Sequence, residues 1–560
     1  MSADRFEKNA RTFTLLTLAS RATGLVRDAT LARAFGVGAV MDAFSFGFMV
    51  PNLFRRLFGE GALTASFLPI YARLEREDPE KARRFASYTL VAMALVLNAI
   101  VIVLELVLLW LHARSPIAEI SYIGQPVSIG GAVVAPMSLR LGQLGYELLM
   151  VMLPYMPLVC MVAIVGSVLQ THDKFGTAAA SPMILNLAVV GTALGFLPVF
   201  HANGHASIQD QARHATLVGA SVVVAGVLQL AWGMWAARRY GLRLRGVDLR
   251  DPMAIAPLKE TLHKAVPMMF GLGVLQLNTF LDGLIASWPT VVGPTIFGVA
   301  FPLEEGAMAA LGNAQRLYEF PLGVFGLAVA NAIFPVLSRQ ATDMDAFRAT
   351  MHRGLRLVMY IGLPASVGLM MVARPAVAVV LEGGRFTPED TARVARILLG
   401  YAPAIWSYST VHVLTRAFYA SGDSVTPTKI SVAMVFLNLT LNITLIFTPL
   451  REAGLAWATA ICSVIQCGIL LVILRRRVGV VVNHEVRASW MATAFASTLM
   501  AVAIAAVRWI VFPPADVQAL TGWWGAVREL LVLMPVGAAV LLGATIAMRR
   551  PELRWALGRK

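Results

Sequence analysis

The fold class of this chain is decided by uncharged apolar stretches such as GLAWATAICSVIQCGILLVIL, residues 454–474, which Arg475, Arg476 and Arg477 follow at once. A membrane-spanning helix needs roughly 20 mainly apolar residues. The whole chain has this character, since 58% of its 560 residues are hydrophobic and 14% are charged, whereas soluble domains average about 45–50% and about 25%. The sequence therefore predicts an all-α polytopic membrane protein. It excludes a secreted disulfide scaffold, a disordered chain and an ordinary soluble enzyme.

Fourteen transmembrane helices are predicted from apolar runs that polar or Gly/Pro breaks separate. They lie near residues 12–35, 42–70, 86–111, 146–170, 178–200, 215–237, 265–288, 308–337, 357–381, 393–420, 430–448, 454–474, 489–512 and 526–548. The first, second and eighth are the weakest because charged residues interrupt them.

The basic residues give the orientation of these spans. With the N-terminus inside, the inner segments hold thirty Lys and Arg residues and the outer loops hold five. This bias follows the positive-inside rule and predicts a multi-pass membrane protein with both termini in the cytoplasm. It also accounts for the net charge of +15 without a nucleic-acid partner.

A weak internal repeat relates the two halves of the chain. The segment Phe67–Arg73 (FLPIYAR) matches Ile333–Arg339 (IFPVLSR), and Tyr155-Met-Pro157 matches Tyr401-Ala-Pro403. The repeat is six spans long, so both copies enter the membrane from the same side. We therefore predict two parallel six-helix repeats around a central cavity, as in many transporters. The expected lobes are residues 1–240 and 241–480, and residues 481–560 form a two-helix C-terminal appendage.

Charged side chains stand inside three of the predicted spans, where ionisable groups are costly and usually functional. They are Arg21, Arg27 and Asp28 in the first span, Asp42, Arg55, Arg56 and Glu60 in the second, and Arg316 and Glu319 in the eighth. One interpretation is that ion pairs hold the helices together. The other is that the charges line a hydrated cavity for an anionic substrate. The surplus of arginine favours the cavity, because the guanidinium fork suits phosphate oxygens.

A second polar group of residues lies in the C-terminal half of the chain. It consists of Asp282, Asn438, Asn442 and Thr459. Their oxygen atoms could hold a sodium ion, but interhelical hydrogen bonding is the commoner role of Asn and Thr in membranes. Both possibilities stay open.

Motifs of enzymes are missing from the sequence. There is no Gly-x-x-x-x-Gly-Lys-Ser/Thr phosphate loop and no His-Glu-x-x-His zinc motif. No grouping of Ser, His and Asp stands out either. We therefore expect no catalytic residues and predict that the protein is not an enzyme.

Several motifs resemble one family of membrane proteins. They are Ser20-Arg-Ala-Thr-Gly-Leu-Val-Arg-Asp28, Asp42-Ala-Phe44, Pro51-Asn-Leu-Phe-Arg-Arg56, Gly59-Glu-Gly61 and Arg316-Leu-Tyr-Glu-Phe-Pro321. Together they are similar to the MurJ (MviN) lipid II flippases of the multidrug/oligosaccharidyl-lipid/polysaccharide exporter superfamily, and the resemblance runs through essentially the whole chain. It implies a flippase of the bacterial cytoplasmic (inner) membrane that moves lipid II, the undecaprenyl-diphosphate-linked disaccharide-pentapeptide, from the inner to the outer leaflet for peptidoglycan synthesis by alternating access.

The resemblance also implies roles for individual residues. Arg21, Arg27, Asp28, Arg55 and Arg316 would bind the substrate, and Asp42, Arg56, Glu60 and Glu319 would support or gate the site. Some members have a sodium site that corresponds to Asp282, Asn438, Asn442 and Thr459, but Asn442 stands here where a carboxylate is expected. The alternatives are a flippase for another polyprenyl-diphosphate oligosaccharide and a drug/cation antiporter of the same superfamily. Protein partners cannot be inferred from the sequence.

Overall fold

The structure, a computed structural model, describes residues 3–59, 62–114, 127–129, 132–134, 141–200, 207–242, 247–248, 250–513 and 522–556. These residues are almost entirely helical. The helices are α1 Ala3–Phe35, α2 Ala39–Phe54, α3 Ala62–Glu77, α4 Pro79–Arg114, α5 Leu141–Met152, α6 Tyr155–Thr171, α7 Phe175–Gly195, α8 Leu197–Phe200, α9 Ile208–Ala237, α10 Pro252–Val291, α11 Ala307–Pro321, α12 Leu327–Arg339, α13 Met344–Met371, α14 Ala373–Leu381, α15 Pro388–Tyr401, α16 Ala404–Ala420, α17 Val425–Leu445, α18 Ala453–Val478, α19 His484–Val511, α20 Trp523–Ala547 and α21 Glu552–Ala556.

The strands in the described residues form two small antiparallel hairpins. In one, β1 Val127–Ile129 pairs with β2 Ala132–Val134. In the other, β3 Thr295–Ile296 pairs with β4 Val299–Ala300 in the connection from α10 to α11. The hairpins contribute little to the architecture, and the prediction of an all-helical polytopic membrane protein is confirmed.

Nine helical segments in the described part of the chain are long and apolar enough to cross a membrane. They correspond to the predicted spans three to six, nine and eleven to fourteen. The other predicted spans include three that are interrupted, near residues 42–70, 308–337 and 393–420, and one that carries several charges, near residues 12–35. The predicted total of fourteen therefore counts broken and charged helices as well as uninterrupted ones.

The second and eighth predicted spans share an unusual interruption. A five-residue π-helical turn, Arg55–Gly59, follows α2, and another, Leu322–Gly326, joins α11 to α12. When Pro69 of α3 is aligned with Pro335 of α12, these turns coincide to within one residue. Single π-turns inside α-helices are rare and occur often at functional sites. Their matching positions support the internal repeat.

The fourth and tenth predicted spans are each divided at a proline. Leu153 and Pro154 separate α5 from α6, and Ala402 and Pro403 separate α15 from α16. A proline has no backbone N–H and therefore ends the hydrogen-bond ladder of a helix. The residue that corresponds to Pro403 is thus Pro154 rather than Pro157, because Pro157 lies within the first turn of α6.

The chain divides into two compact units, Met1–Ala309 and Ala310–Lys560. In the first unit, α1 packs along α7, α2 packs against α5, and α10 packs against α2, α3 and α4. Leu148, Met152 and Tyr155 are among its fully buried core residues. In the second unit, α13, α16 and α18 surround a core that includes Phe347 and Phe418. The predicted lobes 1–240 and 241–480 describe the internal repeat rather than these two units, and they stay a prediction.

Candidate functional site

The first charged group lies on α1, where Arg27 is held by a carboxylate and an amide. Its Nε and Nη2 donate to Oδ1 of the adjacent Asp28 at 2.9 and 2.6 Å, and its Nη1 donates to Oδ1 of Asn186 on α7 at 3.0 Å. Asn186 in turn donates through Nδ2 to Oγ1 of Thr23 at 3.0 Å and to the carbonyl of Ser20 at 3.3 Å. Arg27 and Asp28 are mostly buried, so this group is a fixed polar junction of α1 with α7.

Asn186 was not predicted from the sequence as a member of the site. It is the one amide in the apolar run of its predicted span, 178–200, and it is buried. An isolated amide in such a run commonly forms interhelical hydrogen bonds. That signal would have identified the residue as a partner for some polar side chain, but not for Arg27 in particular.

Arg21 differs from Arg27 in its surroundings. Its side chain is exposed, and it makes no hydrogen bond or ion pair with the residues that the structure describes. Asp28 lies seven residues further along α1 and pairs with Arg27 instead. The guanidinium of Arg21 is therefore open to a ligand.

Asp42 of α2 is fully buried and has three hydrogen-bond donors. Its Oδ2 accepts from Thr290 Oγ1 at 2.9 Å and from the backbone nitrogen of Gly306 at 2.7 Å. Its Oδ1 accepts from the backbone nitrogen of Ala309 at 2.8 Å. The first N–H groups of a helix have no partner within the helix, and the helix dipole favours a negative charge there. Asp42 therefore caps the beginning of α11 and links it to α2 and α10.

Two arginines occupy the π-helical turn after α2. Arg55 donates through Nε and Nη2 to Oδ1 of Asn52 at 3.2 and 3.0 Å. Arg56 donates through Nη1 to Oε1 of Gln276 on α10 at 3.3 Å. Both side chains are half-buried. The remaining predicted residue of this group, Glu60, lies outside the described residues.

The second unit carries Arg316 on α11, with an exposed side chain. The neighbouring Gln315 donates to Oε1 of Glu319 at 3.3 Å, and Tyr318 stacks on Tyr401 of α15 with ring centroids 4.6 Å apart. This stacking fixes the rotation of α11, because Tyr318 is buried while Arg316 is exposed. One turn earlier, Asn313 has a buried Nδ2 atom with no acceptor in the described part of the chain.

Arg416 on α16 is a further cationic residue whose role was not predicted from the sequence. Its Nη2 donates to Oδ1 of Asn331 on α12 at 3.0 Å, and its guanidinium lies 5.2 Å from the centre of the Phe334 ring. The exposed positions of α12 around it are small or polar rather than large and apolar: Asn331, Ala332, Pro335 and Ser338. Such a surface suits contact with water or a polar headgroup better than contact with lipid chains.

The candidate sodium ligands of the second unit lie together. Asn442 donates through Nδ2 to Oδ1 of Asn438 at 2.9 Å, and Asn438 donates through Nδ2 to Oγ1 of Thr459 at 3.5 Å. Two of the three side-chain oxygens that could bind a cation therefore already accept from amide groups. The unit supplies no carboxylate to the group as far as it is described, and Asp282 belongs to the first unit, where Asn278 donates to it. These three side chains alone do not fit a sodium ion.

Taken together, the fold and the site define a class of protein. The described residues form an all-helical multi-pass membrane protein that carries arginines inside its predicted spans, and among them no cluster of three or more His, Cys, Asp or Glu side chains could hold a metal. A solved structure described as a lipid II flippase MurJ in an inward closed conformation is similar, with a TM-score of 0.72 and 21% identity, covering 97% of this chain and 99% of the other.

Comparison of sequences identifies the family. The model of the lipid II flippase MurJ family matches residues 31–518. A probable lipid II flippase MurJ of Haemophilus influenzae is 30% identical over 95% of this chain and 98% of its own length. The lipid II flippase MurJ of Burkholderia cenocepacia is 28% identical over 82% of each chain. This chain belongs to the MurJ lipid II flippase family.

The fold is also shared more widely. An inward-facing multidrug resistance MATE family transporter, described as a member of the MOP superfamily, has a TM-score of 0.58 at 14% identity, and it covers 83% of this chain and 98% of the other. At this identity the likeness concerns the fold alone.

Proposed function

We propose that this protein translocates lipid II from the inner to the outer leaflet of the bacterial cytoplasmic membrane for peptidoglycan synthesis. Membership of the family supports the substrate, and the arginines inside the spans support its chemistry. The single observation that carries the proposal is that the guanidinium groups of Arg21, Arg55 and Arg316 are exposed or half-buried although they stand inside predicted spans. A diphosphate is the anion that such forks bind best.

The contacts suggest different roles for the individual charged residues. Arg21, Arg55 and Arg316 bind the diphosphate directly, whereas Arg27 and Asp28 hold α1 in position through Asn186. Asp42 keeps the start of α11 in place, and Arg56, Glu60 and Glu319 tune the charge of the surroundings.

The proposed mechanism is alternating access, in which the arginines face first one side of the membrane and then the other. Bending of the spans is supported by Pro51, Pro321 and Pro335, which each remove a helical hydrogen bond. Pro51 and Pro321 lie just before the two π-helical turns. The architecture proposed for this cycle has fourteen spans, two parallel six-helix repeats, a two-helix appendage and both termini in the cytoplasm.

The test measures how much lipid II is accessible in the outer leaflet of cells that are depleted of this protein and then supplied with variants. Wild type should restore exposure of lipid II, and Arg316→Ala should insert normally but fail to restore it. Arg374→Ala is the matched control, because Arg374 is an exposed arginine within the predicted span 357–381, at the start of α14. Normal exposure with Arg316→Ala would overturn the assigned site.

The same measurement separates the alternatives. If depletion leaves lipid II exposure unchanged in a strain with no second flippase, the lipid II assignment fails. The arginines would then favour another polyprenyl-diphosphate oligosaccharide, which presents the same anion. A drug/cation antiporter is less well supported, because a cationic drug would be repelled by Arg21, Arg55 and Arg316.

A further inference from the structure

The outward face of α4 carries two polar side chains that no part of the site explains. The predicted span 86–111 on this helix is strongly apolar, and most of its surface is not covered by the rest of the protein. Asn98 and Glu105 interrupt this surface. Asn98 is exposed and Glu105 is half-buried at the edge of the stripe of Leu97, Val101 and Leu108 that packs into the core.

The two side chains share one face of α4. They are seven residues apart, which is two helical turns and about 10 Å along the axis. Ile102 lies on the same face one turn from each, and its side chain is 58% exposed. We name this surface, defined by Asn98, Ile102 and Glu105, the α4 polar face.

Both polar groups present hydrogen-bond acceptors. Asn98 uses Nδ2 to donate to the carbonyl of Ala94 at 2.7 Å, which leaves its Oδ1 available. Within the described residues, Glu105 makes no hydrogen bond or ion pair. Ionisable groups in membrane spans almost always face the interior of the bundle or pair with another group. Glu105 pairs with no group in the described part of this chain, which leaves its carboxylate available to a hydrogen-bond donor on another molecule.

The depth of the face favours a protein over a lipid headgroup as that partner. Asn98 lies at the middle of the predicted span 86–111, where headgroups do not reach. Glu105 lies about 9 Å along the axis from the outer end of the span at residue 111. In the proposed orientation α4 runs outward, and helical side chains lean toward the N-terminus of their helix. The carboxylate of Glu105 therefore leans toward the membrane centre and away from the outer surface.

We infer that the α4 polar face is a docking site for a membrane-spanning helix of a partner protein that carries hydrogen-bond donors. The complementary side chains are an arginine, lysine or histidine opposite Glu105 and an amide or hydroxyl opposite Asn98. Their seven-residue spacing matches the repeat of two helices that pack side by side. A second copy of this chain is a poor occupant, because a symmetric pair would bring Glu105 toward Glu105. The inference does not depend on the substrate that is transported.

The test is photo-crosslinking of the full-length protein in the membrane of living bacteria. Ile102→benzoylphenylalanine places the probe on the α4 polar face. Val103→benzoylphenylalanine is the matched control, because Val103 is on the same helix, is also 58% exposed and points about 100° away. We expect a discrete crosslinked protein with the first probe and none with the second. The product should disappear when Glu105→Leu is added.

Identification of the captured protein completes the test. The inference stands if two conditions are met. The captured protein must have a spanning helix with a donor side chain at the depth of Glu105. Glu105→Arg in this chain, combined with replacement of that donor by Glu in the partner, must restore the crosslink. It fails if the probe captures only lipid, a second copy of this chain, or nothing. Transport of lipid II by purified Glu105→Leu in vesicles should equal that of wild type, so failure of the docking site and failure of the proposed function are distinguishable.

Discussion

The carboxylate of Asp42 lies 2.8 Å from the backbone nitrogen of Ala309, although 267 residues separate them in the sequence. Asp42 is fully buried, and its two oxygens satisfy the beginning of α11. An aspartate in this place is a helix cap supplied by a distant segment of the chain. It therefore fixes where α11, the helix that carries Arg316, begins.

Replacement of this carboxylate should destabilise the first unit. Asp42→Asn keeps one acceptor but turns an amide group toward backbone donors, and hydrogen bonds to charged groups contribute about 1.5–3 kcal/mol each. We expect a loss of about 3 kcal/mol in the free energy of unfolding, measured by thermal unfolding in detergent. Asp343→Asn is the control, because Asp343 is an ordinary N-cap whose side chain accepts from Ala346 N, and loss of such a cap costs about 1 kcal/mol. Equal effects of the two variants would contradict the capping role of Asp42.

The hydrogen bond from Arg27 to Asn186 gives a second prediction. Asn186→Leu removes the acceptor of Nη1 and leaves a largely buried donor unsatisfied, which costs about 1–3 kcal/mol. Transport of lipid II should fall because α1, and with it Arg21, is no longer fixed against α7. Asn186→Asp keeps an oxygen for Arg27 and should retain more transport than Asn186→Leu. A similar loss in both variants would show that Asn186 acts through Thr23 and Ser20 instead.

A single substitution should make the thermal stability of this protein depend on sodium. Asn442→Asp supplies the carboxylate that the group of Asn438 and Thr459 lacks, and it removes the amide that donates to Asn438. Sodium that binds only the folded state at about 100 times its Kd would add about 2.7 kcal/mol of stability. We expect the melting temperature of Asn442→Asp to rise when choline chloride is replaced by sodium chloride. The wild-type protein should change much less, and an equal rise in both would mean that Asn442 already permits a sodium site.

A pH-dependent contact of Glu552 holds the C-terminal helix α21 against α13 and α19. Glu552 is buried and accepts from Arg356 Nε at 2.8 Å and from Ser489 Oγ at 2.7 Å. Burial raises the pKa of Glu552, but hydrogen bonds from Ser489, from the backbone and from Arg356 outweigh it and hold the pKa below its ordinary value. A lowered pKa contributes stability above the unfolded-state pKa of about 4.3, and the contribution is lost as the pH falls through the folded-state pKa.

Glu552→Gln should therefore lower the melting temperature most at neutral pH. Arg356 keeps a second carboxylate partner, Glu485, at 3.0 Å, so Glu552→Gln removes one charge-assisted hydrogen bond and costs about 1.5–3 kcal/mol. The loss applies to the second unit, which contains all three residues. The difference in melting temperature from wild type should shrink as the pH is lowered toward the unfolded-state pKa and through the folded-state pKa. A difference that is independent of pH would show that the contact does not depend on the charge of Glu552.

The sequence predicts the charged members of the site better than their neutral partners. Arg21, Arg55 and Arg316 stand out because a charge in an apolar run has few explanations. Asn186 and Thr290 do not, because a single amide or hydroxyl is common in a span. Their partners Arg27 and Asp42 are 159 and 248 residues away, and no local pattern reports such pairings.

The helices, too, are predicted only in part from the sequence. The uninterrupted spans, such as α18 and α20, follow directly from apolar length. The breaks at Pro154 and Pro403 and the two π-turns do not, since prolines also occur inside helices here without dividing them, as Pro364 does in α13. Whether a proline ends a helix depends on the packing around it, which becomes visible only in three dimensions.

The π-turn Leu322–Gly326 changes how substitutions in the predicted span 308–337 should be interpreted. Because hydrogen bonds of a π-turn reach one residue further than those of an α-helix, the turn accommodates one extra residue and shifts the angular phase of α12 after it by about 100°. A helical wheel drawn continuously over 308–337 places the buried Ala330 and Leu337 in the wrong sector relative to Tyr318. Deleting a single residue within the turn would reset this phase and turn the buried face of α12 outward, so a one-residue deletion here is expected to disturb the protein more than most point substitutions.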